Sequence, residues 1–257
     1  MKVIGIIPAR MASTRFPEKP LANICGIPMI GHVYFRSTMA NILDEVYIAT
    51  CDKIIAKYVA SIGGKSIMTS DTHERASDRA AEALLTIEKE TREKVDIVVM
   101  LQGDEPMILP KMIEDAVRPL LESSTVTVSN LMAEIKTENE WEDPNEVKVV
   151  IDHNNDALYF SREPIPSNKK FDGKITAYKQ VCVIPFTRDC LLKYTNLEPT
   201  PLEIIESVDM NRFLEHNIRL KMVLTKHRTL AVDTKKDLIK VEQKMWNDPL
   251  LRKYLNA

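Results

Sequence analysis

Val3-Ile4-Gly5-Ile6-Ile7-Pro8-Ala9-Arg10-Met11-Ala12-Ser13-Thr14-Arg15-Phe16-Pro17-Glu18-Lys19-Pro20-Leu21 begins with a short continuous apolar run that stops at Pro8. Such a run reads as a strand buried on both faces. Three cations (Arg10, Arg15, Lys19) and two hydroxyls (Ser13, Thr14) follow within ten residues. Small Ala9 and Ala12 and the prolines shape a loop that can carry cationic side chains and backbone N–H groups to phosphate oxygens. The stretch lacks both GxxxxGKS/T and GxGxxG, so it is neither a Walker loop nor a dinucleotide fingerprint. On spacing alone it is also compatible with a solvated basic loop.

Working outward, residues 45–50 and 95–101 form two further apolar runs, the second stopping at Gln102-Gly103-Asp104-Glu105-Pro106. Helical patterns occupy 28–39, 53–62, 75–90 and 110–122, with Pro110 suited to the first helical position. This alternation predicts an α/β fold with a mostly parallel sheet. Ligands of such folds bind beyond the carboxyl ends of the strands, here the loops after Ile7, Ala49 and Leu101. The middle differs: 125–132, 146–151, 157–160 and 181–186 are strand-like, and 167–174 (SNKKFDGK) reads as an exposed loop. A helix over 202–215, a strand over 220–224 and a helix over 235–246 complete the chain.

The 257 residues, 44% hydrophobic and with a net charge of −2, exclude a disordered chain and a broadly basic nucleic-acid binder. No apolar run reaches the roughly 18 residues of a membrane span. The start of the chain does not read as a signal peptide. Cys25, Cys51, Cys182 and Cys190 form no CxxC pair, and the five histidines form no HxxxH. Free thiols in a reducing cytoplasm are expected, without zinc, nucleic acid or membrane as partners.

Asp104, at a strand end, is a candidate Mg²⁺ ligand, or else a cap for the following turn. Asp233, in Ala231-Val232-Asp233-Thr234, is a second candidate ligand, or the cap of the helix that starts at Lys235. A cationic loop and two strand-end carboxylates together make a coherent phosphate-plus-metal site.

IPARMASTRFPEKPL, LQGDEPMI, PNEVKVVIDHNNDALYFSREPIP, PLEIIES and LAVDTKKDL occur in this order. Together they resemble the CMP-Kdo synthetases (3-deoxy-manno-octulosonate cytidylyltransferases) nearly end to end, with the CMP-acylneuraminate synthetases as close relatives. The resemblance implies a Rossmann-like nucleotidyltransferase fold of the nucleotide-diphospho-sugar transferase type. It implies a mixed sheet and a small antiparallel arm used for homodimerisation. Over 1–257 it implies one cytidylyltransferase domain, with 125–190 contributing to acceptor binding and dimerisation. The implied reaction is Mg²⁺-dependent: CTP plus an acidic sugar gives a CMP-sugar and pyrophosphate, in lipopolysaccharide biosynthesis.

Carried over by position, Ala9, Arg10, Ser13, Arg15, Lys19, Arg75, Ser77, Arg79 and Gln102 are expected to contact CTP. Asp104 and Asp233 are expected to hold Mg²⁺ and, with Arg10 and Lys19, to act in catalysis. Gln102, Arg162, Gln180, Glu206 and Asp209 are expected at the acceptor. Three places depart from the family pattern. Arg75-Ala76-Ser77-Asp78-Arg79 replaces Ser-Gly-Thr-Asp/Glu-Arg. Gln180 and Ile184 stand where a His and a Tyr are usual. Asp209-Met210 replaces Glu-Gln. Fewer polar partners and an added cation suggest an acceptor poorer in hydroxyls or more anionic than Kdo. An amino-Kdo or a small carboxylated phosphonate such as phosphonoformate is the alternative to Kdo itself.

Overall fold

The computed structural model describes residues 1–12, 16–173 and 175–255. The chain divides into two compact units, Met1–Glu114 with Thr229–Ala257, and Asp115–Arg228.

The first unit opens with β1 (Val3–Ala9), in which Ile4, Ile6 and Ile7 are wholly buried. After a one-turn 3₁₀ helix (Lys19–Leu21) comes a small hairpin of β2 (Asn23–Ile24) and β3 (Ile27–Pro28). Gly26 takes the left-handed conformation at its turn, φ 87°, which a side chain would strain. α1 (Met29–Thr38), β4 (Glu45–Thr50), α2 (Lys53–Ser61), β5 (Lys65–Met68), α3 (Ala76–Thr91) and β6 (Ile97–Leu101) alternate as the pattern predicts. Sequence reading missed β5, whose Lys65 and Ser66 interrupt the apolar signal. The strands run in the order β6-β1-β4-β5, all parallel. Parallel pairing places the ends of β1, β4 and β6 on one edge, as the strand-end rule requires. α4 (Pro110–Glu122) starts at Pro110 as expected.

The second unit is built on β7 (Ser129–Glu134), α5 (Glu138–Glu142), β8 (Lys148–Ile151), β9 (Ala157–Ser161), β10 (Tyr178–Val181), β11 (Val183–Thr187), α6 (Arg188–Thr195), α7 (Pro201–Glu206), α8 (Met210–Glu215) and β12 (Lys221–Thr225). Its mixed sheet has the order β12-β7-β10-β8-β9, antiparallel except for the β12–β7 pair. The helix expected over 202–215 is two helices. Ser207 lies at φ 52° and ends α7, while buried Glu203 and Arg212 form a bidentate pair, 2.5 and 2.6 Å, across the break.

α9 (Lys235–Met245) and α10 (Leu251–Tyr254) return to the first unit. They bury Val241, Met245, Leu251 and Tyr254 against Phe16, Ile24, Cys25 and Met29. Beneath this contact His32 Nε2 donates to the Ile24 carbonyl (2.7 Å), and its Nδ1 accepts from Tyr254 Oη (2.9 Å). Arg36 donates to Tyr254 Oη (2.9 Å) and to Asp248 (2.6 Å). Among the described residues no helix is long and apolar enough to cross a membrane.

Candidate active site

The site grows from the end of β1. Ala9, its last residue, is buried, and Arg10 emerges exposed. The Met11 N–H donates to Asp52 at 2.7 Å, which ties the loop to the end of β4. Ser13 and Arg15 lie outside the described residues. Glu18 then turns the chain through the left-handed region, φ 59°, into the 3₁₀ helix that carries Lys19.

Lys19 Nζ lies 2.7 Å from Asp104 Oδ2, 3.5 Å from Asp233 Oδ1 and 3.0 Å from the Val232 carbonyl. The Val232 N–H donates to the Asp104 carbonyl at 2.9 Å, so the backbones bearing the two carboxylates are themselves joined. Gly103 permits this turn: a Cβ there would meet Ile30 at 3.0 Å and the Pro8 carbonyl at 3.4 Å. The helix cap falls on Thr234, not Asp233. Thr234 accepts from the Asp237 N–H, and Asp237 accepts from that of Thr234, a capping box.

Asp104 and Asp233 therefore converge on one cation, at present the Lys19 ammonium. Among the described residues no group of three or more His, Cys, Asp or Glu is placed to hold a metal. Two convergent carboxylates suit Mg²⁺, which takes its other ligands from phosphate oxygens and water.

A cavity of about 380 Å³ extends from this cluster, lined among others by Ala9, Arg10, Lys19, His73, Arg75, Arg79, Gln102 and Asp104. Arg75 occupies the N-cap position of α3 without a side-chain cap bond, and Ser77 is wholly buried. Arg79 is 3% exposed. Its Nη1 donates to Thr69 Oγ1 (2.5 Å) and the Ser70 carbonyl (3.0 Å), while Nη2 has no partner. Sequence reading missed His73 and Glu82 as a pair. His73 Nε2 bonds the Glu82 carboxylate, which also accepts the Ser70 N–H at 2.9 Å. Burial raises the Glu82 pKa, but the Ser70 N–H, His73 and Arg79 outweigh it and hold the carboxyl below its ordinary range. Glu82 stands one turn after Arg79, so both face the 69–73 loop; that spacing was the available signal.

The expected acceptor residues of the second unit are engaged with protein partners. Arg162 donates from Nε to the Glu206 carbonyl (2.7 Å), from Nη1 to Pro144 (2.8 Å) and from Nη2 to Ser207 (3.3 Å). The Glu206 carboxylate accepts from Tyr159, Ser161 and the Arg162 N–H, each at 2.8 Å. Burial raises its pKa, and these three bonds more than reverse the effect. Lys148, fully buried, donates to the carbonyls of Asp143 and Arg162, and burial lowers its pKa. Gln180 donates to Asn130 at 2.6 Å, and Asp209 precedes α8 at its N-cap. Ile184 and Met210, two of the departures from the family pattern, are core residues 2% and 1% exposed. Their side chains fill the interior of the unit, so they do not mark a changed acceptor surface.

The chain matches the family described as cytidylyltransferase over residues 4–224. It is 42% identical to the 3-deoxy-manno-octulosonate cytidylyltransferase of Geobacter metallireducens, covering 95% of this chain and 98% of that one. It is 40% identical to the same-named protein of Solibacter usitatus, covering 94% of each. Among solved structures it resembles a CMP:2-keto-3-deoxy-manno-octonic acid synthetase complexed with CTP. That likeness has a TM-score of 0.87 at 36% identity and covers 96% of this chain and 99% of that one. A cytidylyltransferase from Leptospira borgpetersenii, 18% identical with a TM-score of 0.63 over 96% of this chain and 88% of its own, shares the fold. The end-to-end identity and the family match over most of the chain give one conclusion: it belongs to the cytidylyltransferase family, among the 3-deoxy-manno-octulosonate cytidylyltransferases.

Proposed function

We propose that this protein transfers CMP from CTP to 3-deoxy-manno-octulosonate and releases pyrophosphate. The observation that carries the reading is the convergence of Asp104 and Asp233 on one cation at the strand ends, 2.7 and 3.5 Å from Lys19 Nζ. An acceptor hydroxyl oxygen forms a bond to the α-phosphorus, the bond from that phosphorus to the bridging oxygen of the β-phosphate breaks, and the hydroxyl proton passes to solvent. Asp104 and Asp233 would hold Mg²⁺, which when bound offsets phosphate charge and lowers the pKa of the attacking hydroxyl. Arg10 and Lys19 bind the triphosphate and stabilise the departing pyrophosphate. Ala9, Arg75, Ser77, Arg79 and Gln102 line or support the nucleotide cavity. Ser13 and Arg15 join them by resemblance.

In the second unit the Arg162–Glu206–Lys148 network fixes the backbone that carries the acceptor-side residues Gln180 and Asp209. Arg162 and Glu206 act there by positioning. The relatives favour Kdo over the phosphonate and amino-sugar alternatives. α7 exposes Ile204 and Ile205, 61% and 75%, an apolar patch that suits a homodimer contact, although it lies beyond the 125–190 segment expected to form one. The four cysteines are free thiols, as a reducing cytoplasm allows.

Pyrophosphate release, measured for each of four nucleoside triphosphates with Kdo, 8-amino-Kdo and phosphonoformate, tests this reading. CTP with Kdo should be the preferred pair. Efficient turnover of phosphonoformate without turnover of Kdo would overturn the acceptor assignment. Light scattering should give close to twice the 29.3 kDa chain mass.

A further inference from the structure

β1 and β4 pair without a break from Ile4 opposite Glu45 to Ala9 opposite Thr50. Beyond Thr50 the second strand ends and its backbone turns into α2. Met11 and Asp52 nevertheless keep the same spacing of 41 residues, and the Met11 N–H donates to Asp52 Oδ2 at 2.7 Å. The carboxylate stands in for the next strand carbonyl, one rung past the sheet. The Asp52 N–H is itself fixed by Thr50 Oγ1 at 3.1 Å, in a threonine that is wholly buried. Asp52 is also the N-cap residue of α2, and there its side chain makes no capping bond. Aspartate is favoured at that position because its carboxylate ordinarily accepts from the first turn. An N-cap aspartate that reaches back to another loop instead is placed for that loop.

That loop is the cationic one. Arg10 and Ala12, on either side of Met11, line the cavity that Lys19 and Asp104 also line. The Arg10 carbonyl and the Met11 N–H belong to one planar peptide unit, so a bond to the N–H fixes the direction in which Arg10 leaves the sheet. A loop ordered before its ligand arrives loses less conformational entropy on binding. A negative charge next to a phosphate-binding loop opposes the ligand, so what favours Asp52 here is the bond it accepts, not its charge. We propose that Asp52 is a positioning residue for the triphosphate: it extends the β1–β4 ladder by one rung and presets the Arg10 backbone for the phosphates. The proposal rests on the reading of this loop as the triphosphate site.

The rival explanation is that Asp52 only starts α2. Asn and Ser separate the two, because both cap helices about as well as Asp and both remove the same charge. Asn keeps an acceptor at the length of the carboxylate, whereas the Ser hydroxyl is shorter by one bond and does not reach Met11. Calorimetric titration of the full chain with CTP, Mg²⁺ present and acceptor absent, reads the difference, and thermal unfolding reads the helix. Asp52→Asn should bind CTP within about threefold of wild type, or more tightly. Asp52→Ser should bind it about tenfold more weakly, as expected for a lost hydrogen bond and a loop left for the ligand to order. Both should unfold within about 3 °C of wild type. In the nucleotide-free protein the Met11 amide should exchange hydrogen slowly in wild type and Asp52→Asn, and faster in Asp52→Ser. Equal CTP affinity in the two variants, whether unchanged or reduced, would overturn the proposal. So would an Asp52→Ser midpoint lower by about 8 °C or more, which would assign Asp52 to the fold. A wild type that does not bind CTP would overturn it together with the reading of the loop. CTP binding without turnover of Kdo would count against the proposed reaction alone and leave this test decisive.

Discussion

In the first unit Lys19, Asp104 and Asp233 keep 15%, 28% and 25% of their side-chain surface in contact with solvent, and one ammonium serves both carboxylates. In the second unit Lys148 is wholly buried, the Arg162 guanidinium reaches three carbonyls, and Glu206 accepts three bonds. Both clusters combine cations with carboxylates. The first is wet and its partners can be exchanged: in the proposed reaction Lys19 would release the carboxylates to a divalent ion and turn to phosphate oxygens. The second is saturated, and any exchange would leave a desolvated polar group unpaired. A charged cluster is fit for chemistry when its partners are replaceable, and fit for scaffolding when they are not.

The sharpest break of this comparison is Asp104→Ala. Turnover should fall by about a thousandfold or more in steady-state assays, because one of the two carboxylates proposed to hold the metal is gone. The urea midpoint should hardly move, since Lys19 keeps Asp233 and the Val232 carbonyl. A large loss of stability would place Asp104 with the scaffold instead.

Glu206→Gln inverts that pattern. It removes the charge facing Tyr159, Ser161 and the Arg162 N–H, and should cost about 3 kcal/mol in urea unfolding. An unfolding free energy within about 0.5 kcal/mol of wild type would show that the second cluster is as exchangeable as the first.

A third network sharpens the distinction, because it is buried and yet titrates. Burial foremost, with the nearby Arg36 charge, lowers the His32 pKa from 6.5 to about 4, against the hydrogen bond to Ile24. Protonation therefore favours the unfolded chain. The contribution is complete above pH 6.5, is lost as pH falls toward 4, and amounts to about 3 kcal/mol over that window. Urea unfolding at pH 7, 6 and 5 should show this slope in wild type and a shallower one in His32→Phe.

The smallest effect tests exchangeability directly. Lys19→Met removes the ammonium that competes for Asp104 and Asp233. Mn²⁺ should bind the nucleotide-free protein about tenfold more tightly by electron paramagnetic resonance titration, while CTP binds more weakly. Unchanged Mn²⁺ affinity would mean that Lys19 does not share the metal position.

The exchangeable cluster was largely legible in the sequence. Apolar runs ending at Ile7 and Leu101 mark strand ends; Asp104 follows within three residues and Lys19 within twelve. Asp233 remained ambiguous between cap and ligand, although Thr234-Lys235-Lys236-Asp237 already spells a capping box. The saturated cluster was legible as a motif and opaque as chemistry: YFSR identifies Arg162, but nothing local says that Pro144 and Ser207 supply its acceptors. Ile184 and Met210 read as lost polar partners because a departure from a family pattern does not disclose which way a side chain points. The break at Ser207 depends on the Glu203–Arg212 pair, a tertiary contact that outweighs a helical pattern continuous over 202–215.

The reach of Lys19 to Val232 spans 213 residues of chain, and its reach to Asp104 spans 85. Loops of that length close late, after nearer contacts have already restrained the chain. A partly folded molecule can hold β1, β4 and β6 in register and still keep Asp104 and Asp233 apart. The Asp104–Asp233 pair is complete only where α9 packs against the hairpin. The two carboxylates and their shared ammonium are thus a property of the native contacts alone, joined by closures of 85 and 213 residues that no local segment of the chain can make.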